Sequence, residues 1–508
     1  MKNITIIFIC LFFCVSQSKA QKTFSKLYNL YEGWEAAYTV VNVSDSDIII
    51  NGDFTDRFDP NNVDSPIFNA ITLYKVKLNG DLIESKYYYK HGYIYYTGWE
   101  AFEMNGYKCI FFGKNVIGRK DKNYFYTAIN LNNTDTLYTV LLEKTDTLID
   151  LRKFIVHKGN IYSFGFRGTS LGSPMHVACF DTIGKQLWYK TYPGKRRYAN
   201  SVVIDDDGNF IVAGSSYKGD GGAFDTTSGW YAKLDTAGNF IWEKEFDRNT
   251  SFFTDVLSVF KAESAFYLSS NNDASYFDAH VKDTSFVSLF KINDDGNIRW
   301  YRRYLENPYK KNIWAGRFIE RNNFAYGIGG YITDEGWQAY TQYSMFVKID
   351  LEGNLKWKRL FKQWHRDNRF FSLTAVPDGF IICADGKDTT HTTGFTDAWI
   401  IKTDTNGCII PGCHLTDGLV QLTNPDAFVT VHPNPATDKI TVQINDTRAK
   451  LKSYLLYDAK GNFINQQALD NYPETVDIDT NNLLTGTYYL VLELQGGERA
   501  VQKIMIKR

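Results

Sequence analysis

Three stretches carry residue types that could do chemistry. Gly168-Thr169-Ser170-Leu171-Gly172 has the Gly-x-Ser-x-Gly spacing that exposes a nucleophilic serine on a sharp strand-to-helix turn. Here it lies in a loop between strand-like runs with no helix after it, so it reads as a chance match. His365-Arg366-Asp367 lacks the companion motifs that give this tripeptide a role in phosphoryl transfer. Asp205-Asp206-Asp207-Gly208 gathers carboxylates as a calcium loop would, but it sits in a hairpin turn and lacks the later ligands. The eight histidines are scattered without metal-ligand pair spacing. No metal is expected. Cleaving a glycan takes two carboxylates across a groove, and chain order alone does not place them.

Cysteine supplies the remaining chemistry. Met1–Ala20 has the layout of a secretory signal: Lys2, an apolar run from Ile4 to Val15, then Ser18-Lys19-Ala20 before Gln21. Such a leader implies passage through the Sec export machinery, and its apolar run is too short to span a bilayer. Cys10 and Cys14 leave with it. Outside the cytoplasm oxidation is permitted, so Cys408 and Cys413, in Gly-Cys-Ile-Ile-Pro-Gly-Cys, are expected to form a small disulfide. A metal there would want four ligands, and only His414 stands beside them. Cys109, Cys179 and Cys383 lie in strand-like runs and read as buried small hydrophobes.

These residues must be positioned by sheet. The 508-residue chain is 16% aromatic, with Tyr 34, Phe 36 and Trp 11, an excess that favours strands. Lys+Arg 56 against Asp+Glu 57 gives a net charge of −1, or −3 once Lys2 and Lys19 leave with the leader. So balanced a surface has no basic field, which argues against nucleic acid as a partner. Beyond the leader no segment is apolar for 18 residues, so no transmembrane segment is expected.

A repeat orders most of the chain. Lys233-Leu234-Asp235 is followed by Gly238-Asn239, Trp242 and Phe246. The pattern returns at Lys291-Ile292-Asn293, Gly296-Asn297, Trp300, Tyr304 and at Lys348-Ile349-Asp350, Gly353-Asn354, Trp357, Phe361. Gly184, Gly238, Gly296, Gly353 and Gly407 mark successive turns, and Thr134 and Gly80 extend the series to seven. Between them lie seven apolar runs that mostly end in glycine, such as Phe210–Gly214. Two hairpins per repeat make a four-stranded antiparallel unit, the blade of a β-propeller. The seventh copy has Pro411 where its outer-strand Trp should be, and proline cannot donate to a ladder. Residues 22–28 contain a spare strand with the right Phe24-to-Tyr28 spacing. The expected fold is therefore all-β, a seven-bladed β-propeller closed by an N-terminal outer strand. The repeated Trp is expected to pack between blades.

Leu234–Trp242 resembles the tryptophan-docking repeat of quinoprotein dehydrogenase propellers, and the ring as a whole is similar to quinoprotein-like and WD-like propellers. The quinoprotein resemblance implies pyrroloquinoline quinone, but that family's adjacent-cysteine pair is absent from the chain. No cofactor is expected.

In a propeller, the loops joining two hairpins of a blade share a face with those passing to the next blade. The hairpin-joining loops here run Asp53–Ala70, Lys114–Asn123, Arg167–Pro174, Ser216–Ser228, Asn271–Ser285, Ile332–Thr341 and Asp385–Thr396, longer than turns require. The passing loops bring Trp34 and Trp99 (both in Gly-Trp-Glu-Ala), Arg197-Tyr198, Trp314 and Trp364-His365. Aromatics beside hydrogen-bonding groups suit a sugar ring or a protein patch. The other reading is that Trp34, Trp99 and Trp314 plug the loops against the innermost strands.

Near residue 415 the rhythm stops. A polar connector, 416–427, precedes about 80 residues of short strands spaced as in a small Ig-like β-sandwich. Its landmarks are Asn434-Pro435, Leu455-Leu456-Tyr457-Asp458, Gly486-Thr487-Tyr488 and Lys503–Lys507. In this order they resemble the type A sorting domain of type IX secretion, over residues 426–508. The resemblance implies export from a Bacteroidota-type bacterium through the type IX apparatus, tail removal, and surface attachment or release. His432 stands where that family often has Asn. The tail is an address and says nothing of the cargo. For residues 21–415 the expectation is a non-catalytic glycan- or protein-binding module, with a glycan-acting surface enzyme as the alternative.

Overall fold

The computed structural model describes residues 23–508 except 31–32, 57–68, 91–92, 117–122, 144–148, 168–173, 195, 219–225, 247–252, 274–285, 305–312, 334–340, 363–367, 388–395, 410–412, 414–419, 423–428, 445–449, 460–461, 470–472 and 495–498. The leader and Gly168–Gly172 therefore lie outside the described residues.

Antiparallel pairing sorts the strands into seven four-stranded meanders. The first comprises Gly33–Val43, Asp47–Asp56, Asn69–Lys77 and Leu82–Tyr88. The innermost strands of the next six are Tyr93–Met104, Ile149–His157, Arg197–Ile204, Phe253–Ala262, Ile313–Arg321 and Arg369–Val376. Each innermost strand packs against that of the next meander, and Arg369–Val376 packs back on Gly33–Val43, closing a circle. A ring of four-stranded sheets about a channel is a β-propeller, here of seven blades. Blade 7 has only three strands of its own. Its outer strand is Phe24–Tyr28, antiparallel to Asp397–Thr403 with Phe24 opposite Lys402 and Tyr28 opposite Ala398.

The repeated residues build one joint. Asp235 Oδ1 accepts the amides of Ala237 and Asn239 at 2.9 and 2.7 Å, so Gly238 takes φ +77°. Asn293, Asp350 and Asp404 fold their turns the same way. Against each turn glycine lies the outer-strand indole of the preceding blade. A Cβ on Gly238, Gly296, Gly353 or Gly407 would meet Trp188, Trp242, Trp300 or Trp357 within 3.1 Å. Where the aromatic four residues beyond that Trp is a tyrosine, it donates its hydroxyl to the same glycine's carbonyl, Tyr304 to Gly353 at 2.6 Å and Tyr192 to Gly238; where it is Phe246, the carbonyl of Gly296 is met by Tyr231 at 3.2 Å instead. Gly80 meets Phe24 and accepts Tyr28 at 2.6 Å, so the closing strand uses the same joint with Phe in place of Trp. The repeated lysine braces turns: Lys233 pairs with Asp205 at 2.7 Å, and Lys75 donates to Leu131 and Asn132 carbonyls. Asp205 is thus a turn residue held by a cation.

Cys408 and Cys413 are bonded, and Thr23 donates to the carbonyl of Ile409 inside that small loop. The free cysteines 109, 179 and 383 are buried. The connector is not wholly irregular: Val420–Leu422 runs parallel to Leu360–Lys362 on the outer edge of blade 6. Beyond it a three-stranded sheet and four further strands, which Gln421 joins to the blade 6 sheet by pairing with Arg499, enclose Ile440, Val442, Leu456, Leu490 and Ile504 as a sandwich core. Among the described residues no helix is long and apolar enough to cross a membrane.

Candidate functional site

Among the described residues the tight turns of the propeller gather on one face, and the strand ends that lead into the hairpin-joining connections lie on the other. Strand ladders run further into those loops than expected. Ser216, Tyr217 and Lys218 still pair with Ser228, Thr227 and Thr226, because the hairpin continues past the core. Trp364 and His365 lie outside the described residues. Trp99 and Trp314 fall on innermost strands, but their side chains lie outside the described set.

The innermost strands share a feature that sets the channel. Each carries a bulge against its neighbour at nearly the same height, leaving unopposed Tyr38, Gly98–Glu100, Arg152, Asn200, Leu257, Gly316–Arg317 and Phe371. A bulge re-aims the extra residue. Glu100, Arg152, Asn200, Leu257, Arg317 and Phe371 all line one central cavity of about 620 Å³, and the ring of Tyr38 packs on Phe371 at 4.9 Å. With Tyr38 they form a collar with one residue from every blade. Arg152 and Arg317 are exposed; the others are half-buried.

Bulges also free backbone donors, and side chains of the preceding blade take them. Ser201 Oγ accepts the amide of Val259, and Ser258 Oγ that of Phe318, both at 3.1 Å. Glu100 accepts Phe154 N at 3.1 Å and faces Lys153 at 3.5 Å. Arg152 pairs with the mostly buried Asp150 at 3.1 Å, its guanidinium 5.4 Å from the ring of Phe166 and 6.0 Å from that of Tyr198. Tyr124 also donates to Asp150. Burial raises the Tyr198 hydroxyl above its ordinary value.

At the mouth, where blades 7 and 1 meet, carboxylates collect. Glu35 is fully buried and accepts Leu30 N at 3.0 Å and the Tyr74 hydroxyl at 3.3 Å. It fixes the crossing from the closing strand into blade 1. Asp385 is buried and gripped by Arg369, whose Nε lies 3.2 and 3.1 Å from its two oxygens; half of the arginine stays exposed. Asp53 accepts the Tyr38 hydroxyl at 3.3 Å. Loss of water pushes the Asp53 carboxyl up to about 7. The Tyr38 hydrogen bond opposes this, Asp385 adds to it, and Arg369 opposes it.

Of the residues expected on this face, Trp34 is 43% exposed at the rim and Tyr198 lines the cavity. Arg197 is buried, paired with Glu243 and Glu245 and lying 5.2 Å from the Trp230 ring, so it stitches blade 4 together. Sequence reasoning missed the collar and the Asp53–Asp385 cluster. One signal existed: both aspartates directly follow the Gly or Ala ending their second-strand run.

In the tail, Asn434 acts as a short strand, donating to Lys503 O at 2.9 Å and accepting Met505 N at 2.8 Å. Pro435 follows through a cis bond. Gly486 pairs with Ile506, and Tyr488 donates to Leu484 O at 2.8 Å. Lys503 and Lys507 are exposed and alternate with buried Ile504 and Ile506. The landmark residues thus lock the last strand and leave its lysines outward.

Residues 430–507 match the family of secretion system C-terminal sorting domains. The chain therefore ends in a type IX sorting domain and is exported, to be secreted or held at the outer cell surface. No curated protein matches the chain. Among solved structures it is similar to an α-L-arabinofuranosidase from Clostridium thermocellum, with 13% identity, TM-score 0.29, covering 52% of this chain and 92% of that one. It is also similar to an α-L-arabinanase from Cellvibrio cellulosa complexed with arabinohexaose (10% identity, TM-score 0.30, 51% and 94%). A third is the acylaminoacyl peptidase of Pyrococcus horikoshii (11% identity, TM-score 0.39, 82% and 59%). Likenesses this loose carry nothing about activity.

Proposed function

We propose that this chain is an exported binding module whose ligand, a glycan or a protein segment, enters the loop-face mouth and is held by the collar of the central channel. Residues 1–20 would be the leader, 21–415 the cargo, 416–427 the connector and 428–508 the removable tail. The observation that carries the reading is the collar itself. The blades repeat one another in their joints but differ at the bulge: two aromatics, two arginines, a carboxylate, an amide and an aliphatic chain. Such variety at equivalent positions is not needed to hold a ring together. Tyr38, Phe371 and Tyr198 offer faces to a sugar ring or an apolar side chain, and the polar members orient it. Strand backbone holds them in place, so little ordering is lost on binding. Trp34 would meet the ligand at the rim, as would Trp364 and His365 from their passing loop and Trp99 and Trp314 from the innermost strands. The test is a glycan and peptide array probed with residues 21–415. A hit should lose about tenfold in affinity in Tyr198→Ala; no hit, or hits indifferent to that change, contradicts the reading.

A second reading, an enzyme acting on glycans, is favoured by the Asp53–Tyr38 and Asp385–Arg369 pairs. A carboxylic acid half-protonated near neutral pH, beside an anchored carboxylate, is an acid–base arrangement. Turnover of 4-nitrophenyl glycosides lost in Asp53→Asn would support it. Turnover that survives the change, or none in the unaltered chain, removes it.

A further inference from the structure

The charges of the channel are mostly spent on one another. Among the described residues lining the cavity are four cations, Arg152, Lys153, Lys261 and Arg317, and three carboxylates, Glu100, Asp150 and Glu320. Arg152 faces Asp150, Lys153 faces Glu100, and Lys261 pairs with Asp206 on the turn face. Glu320 accepts the amide of Asn323 at 2.8 Å and so serves its own turn. Arg317 is the remainder. It is exposed, and among the described residues it has no ion-pair or hydrogen-bond partner. A bulge at Ala315–Phe318 aims it at the channel rather than at the neighbouring strand.

A lone arginine on an outer surface would call for no explanation. Inside a walled cavity it has lost part of its water, and charge–charge attraction there is stronger than in bulk. Its flat fork of donors matches carboxylate and sulfate geometry. Phe371, on the adjacent blade, and Tyr198 supply faces against which a ring bearing that group could lie.

We propose that the ligand of the collar is an acidic glycan, a sugar chain bearing carboxylate or sulfate groups, and that Arg317 receives the anionic group with Arg152 as the second cation. This deepens the binding reading and rests on it. Acidic residues of the mouth set an upper bound on pH: with Asp53 protonated the mouth does not repel an anion, and as Asp53 ionises beside Glu35 and Asp385, with Arg369 the cation that pairs with Asp385 among the described residues, affinity falls.

The test is calorimetric titration of the full chain with a galacturonic acid trisaccharide, a sulfated galactose trisaccharide, the unmodified galactose trisaccharide and a glutamate-rich peptide. The expected result is binding of the uronate or the sulfate about tenfold tighter than the neutral sugar. That preference should vanish in Arg317→Gln, persist in part in Arg317→Lys, and weaken at ~1 M salt, where screening acts within about 3 Å. Which acidic sugar binds tells carboxylate from sulfate. The proposal is overturned if acidic and neutral sugars bind alike, if Arg317→Gln leaves the preference intact, if the peptide outcompetes both sugars, or if no acidic probe binds. A neutral sugar whose binding needs Tyr198 but ignores Arg317 overturns the proposal alone and leaves the channel as the ligand site. Folding of each variant is checked by its melting transition.

Discussion

Asp53 is costly to keep ionised. Its carboxyl rises from the ordinary 3.8 to about 7 chiefly because burial strips its water. The folded chain therefore holds a proton that the unfolded chain releases, and stability falls as pH climbs from about 4 to about 7, then levels off. Asp53→Asn keeps an oxygen for the Tyr38 hydroxyl and removes the titration. Relative to the parent, the variant should gain on the order of 2–4 kcal/mol between pH 4 and pH 8. Thermal melts across that range check it. A gap between variant and parent that stays constant with pH would contradict the assignment. Arg197 is instructive in the opposite sense. Its position beside Tyr198 in a passing loop looked like a ligand contact, but two glutamates from the outer strand of its own blade claim it, and cross-strand partners cannot be read from local sequence.

The elements owe their placement to a joint repeated around the ring, and this was largely legible. Asp-x-x-Gly-Asn states its turn, and a Trp three or four residues later states its partner, because the spacing recurs. Gly80 tests the joint where it is least regular. Gly80 and Gly106 both sit at positive φ, +83° and +80°, so alanine strains the backbone at either. At Gly106 an added Cβ meets nothing within 4 Å, whereas at Gly80 it meets the Phe24 ring at 2.6 Å. Gly80→Ala should therefore cost about 1–3 kcal/mol more than Gly106→Ala, measured by denaturant unfolding. Equal costs would mean that the closing strand does not press on blade 1. The collar was not legible. A bulge is a mismatch between two strands, visible only once both are paired, so Arg152 and Phe371 read in sequence as ordinary strand residues.

For the molecule as a whole, closure by the amino terminus makes the first strand and the last blade one unit. Phe24 and Tyr28 are buried, and Trp399 donates its indole to Ser25 at 2.8 Å. Starting the chain at residue 31 would bare the edge of Asp397–Thr403 and open the circle. The shortened protein should lose its single cooperative melt; a melt unchanged in midpoint and sharpness would mean that the ring does not depend on that strand. Ring and tail were announced by pattern and by landmark residues. The channel wall was not, since it joins side chains from every blade across hundreds of residues.

The claim on which function rests is that ligand occupies the channel. Leu257 is a half-buried collar residue, and a cysteine there would face the cavity. The native thiols of Cys109, Cys179 and Cys383 are pushed up by burial to about 11, 11 and 12, and should stay inert. The most direct measurement is the rate at which a maleimide labels Leu257→Cys with and without a saturating array-selected ligand. Protection by the ligand is the predicted result. Labelling at the same rate, with the ligand demonstrably bound, would place the site elsewhere on the molecule.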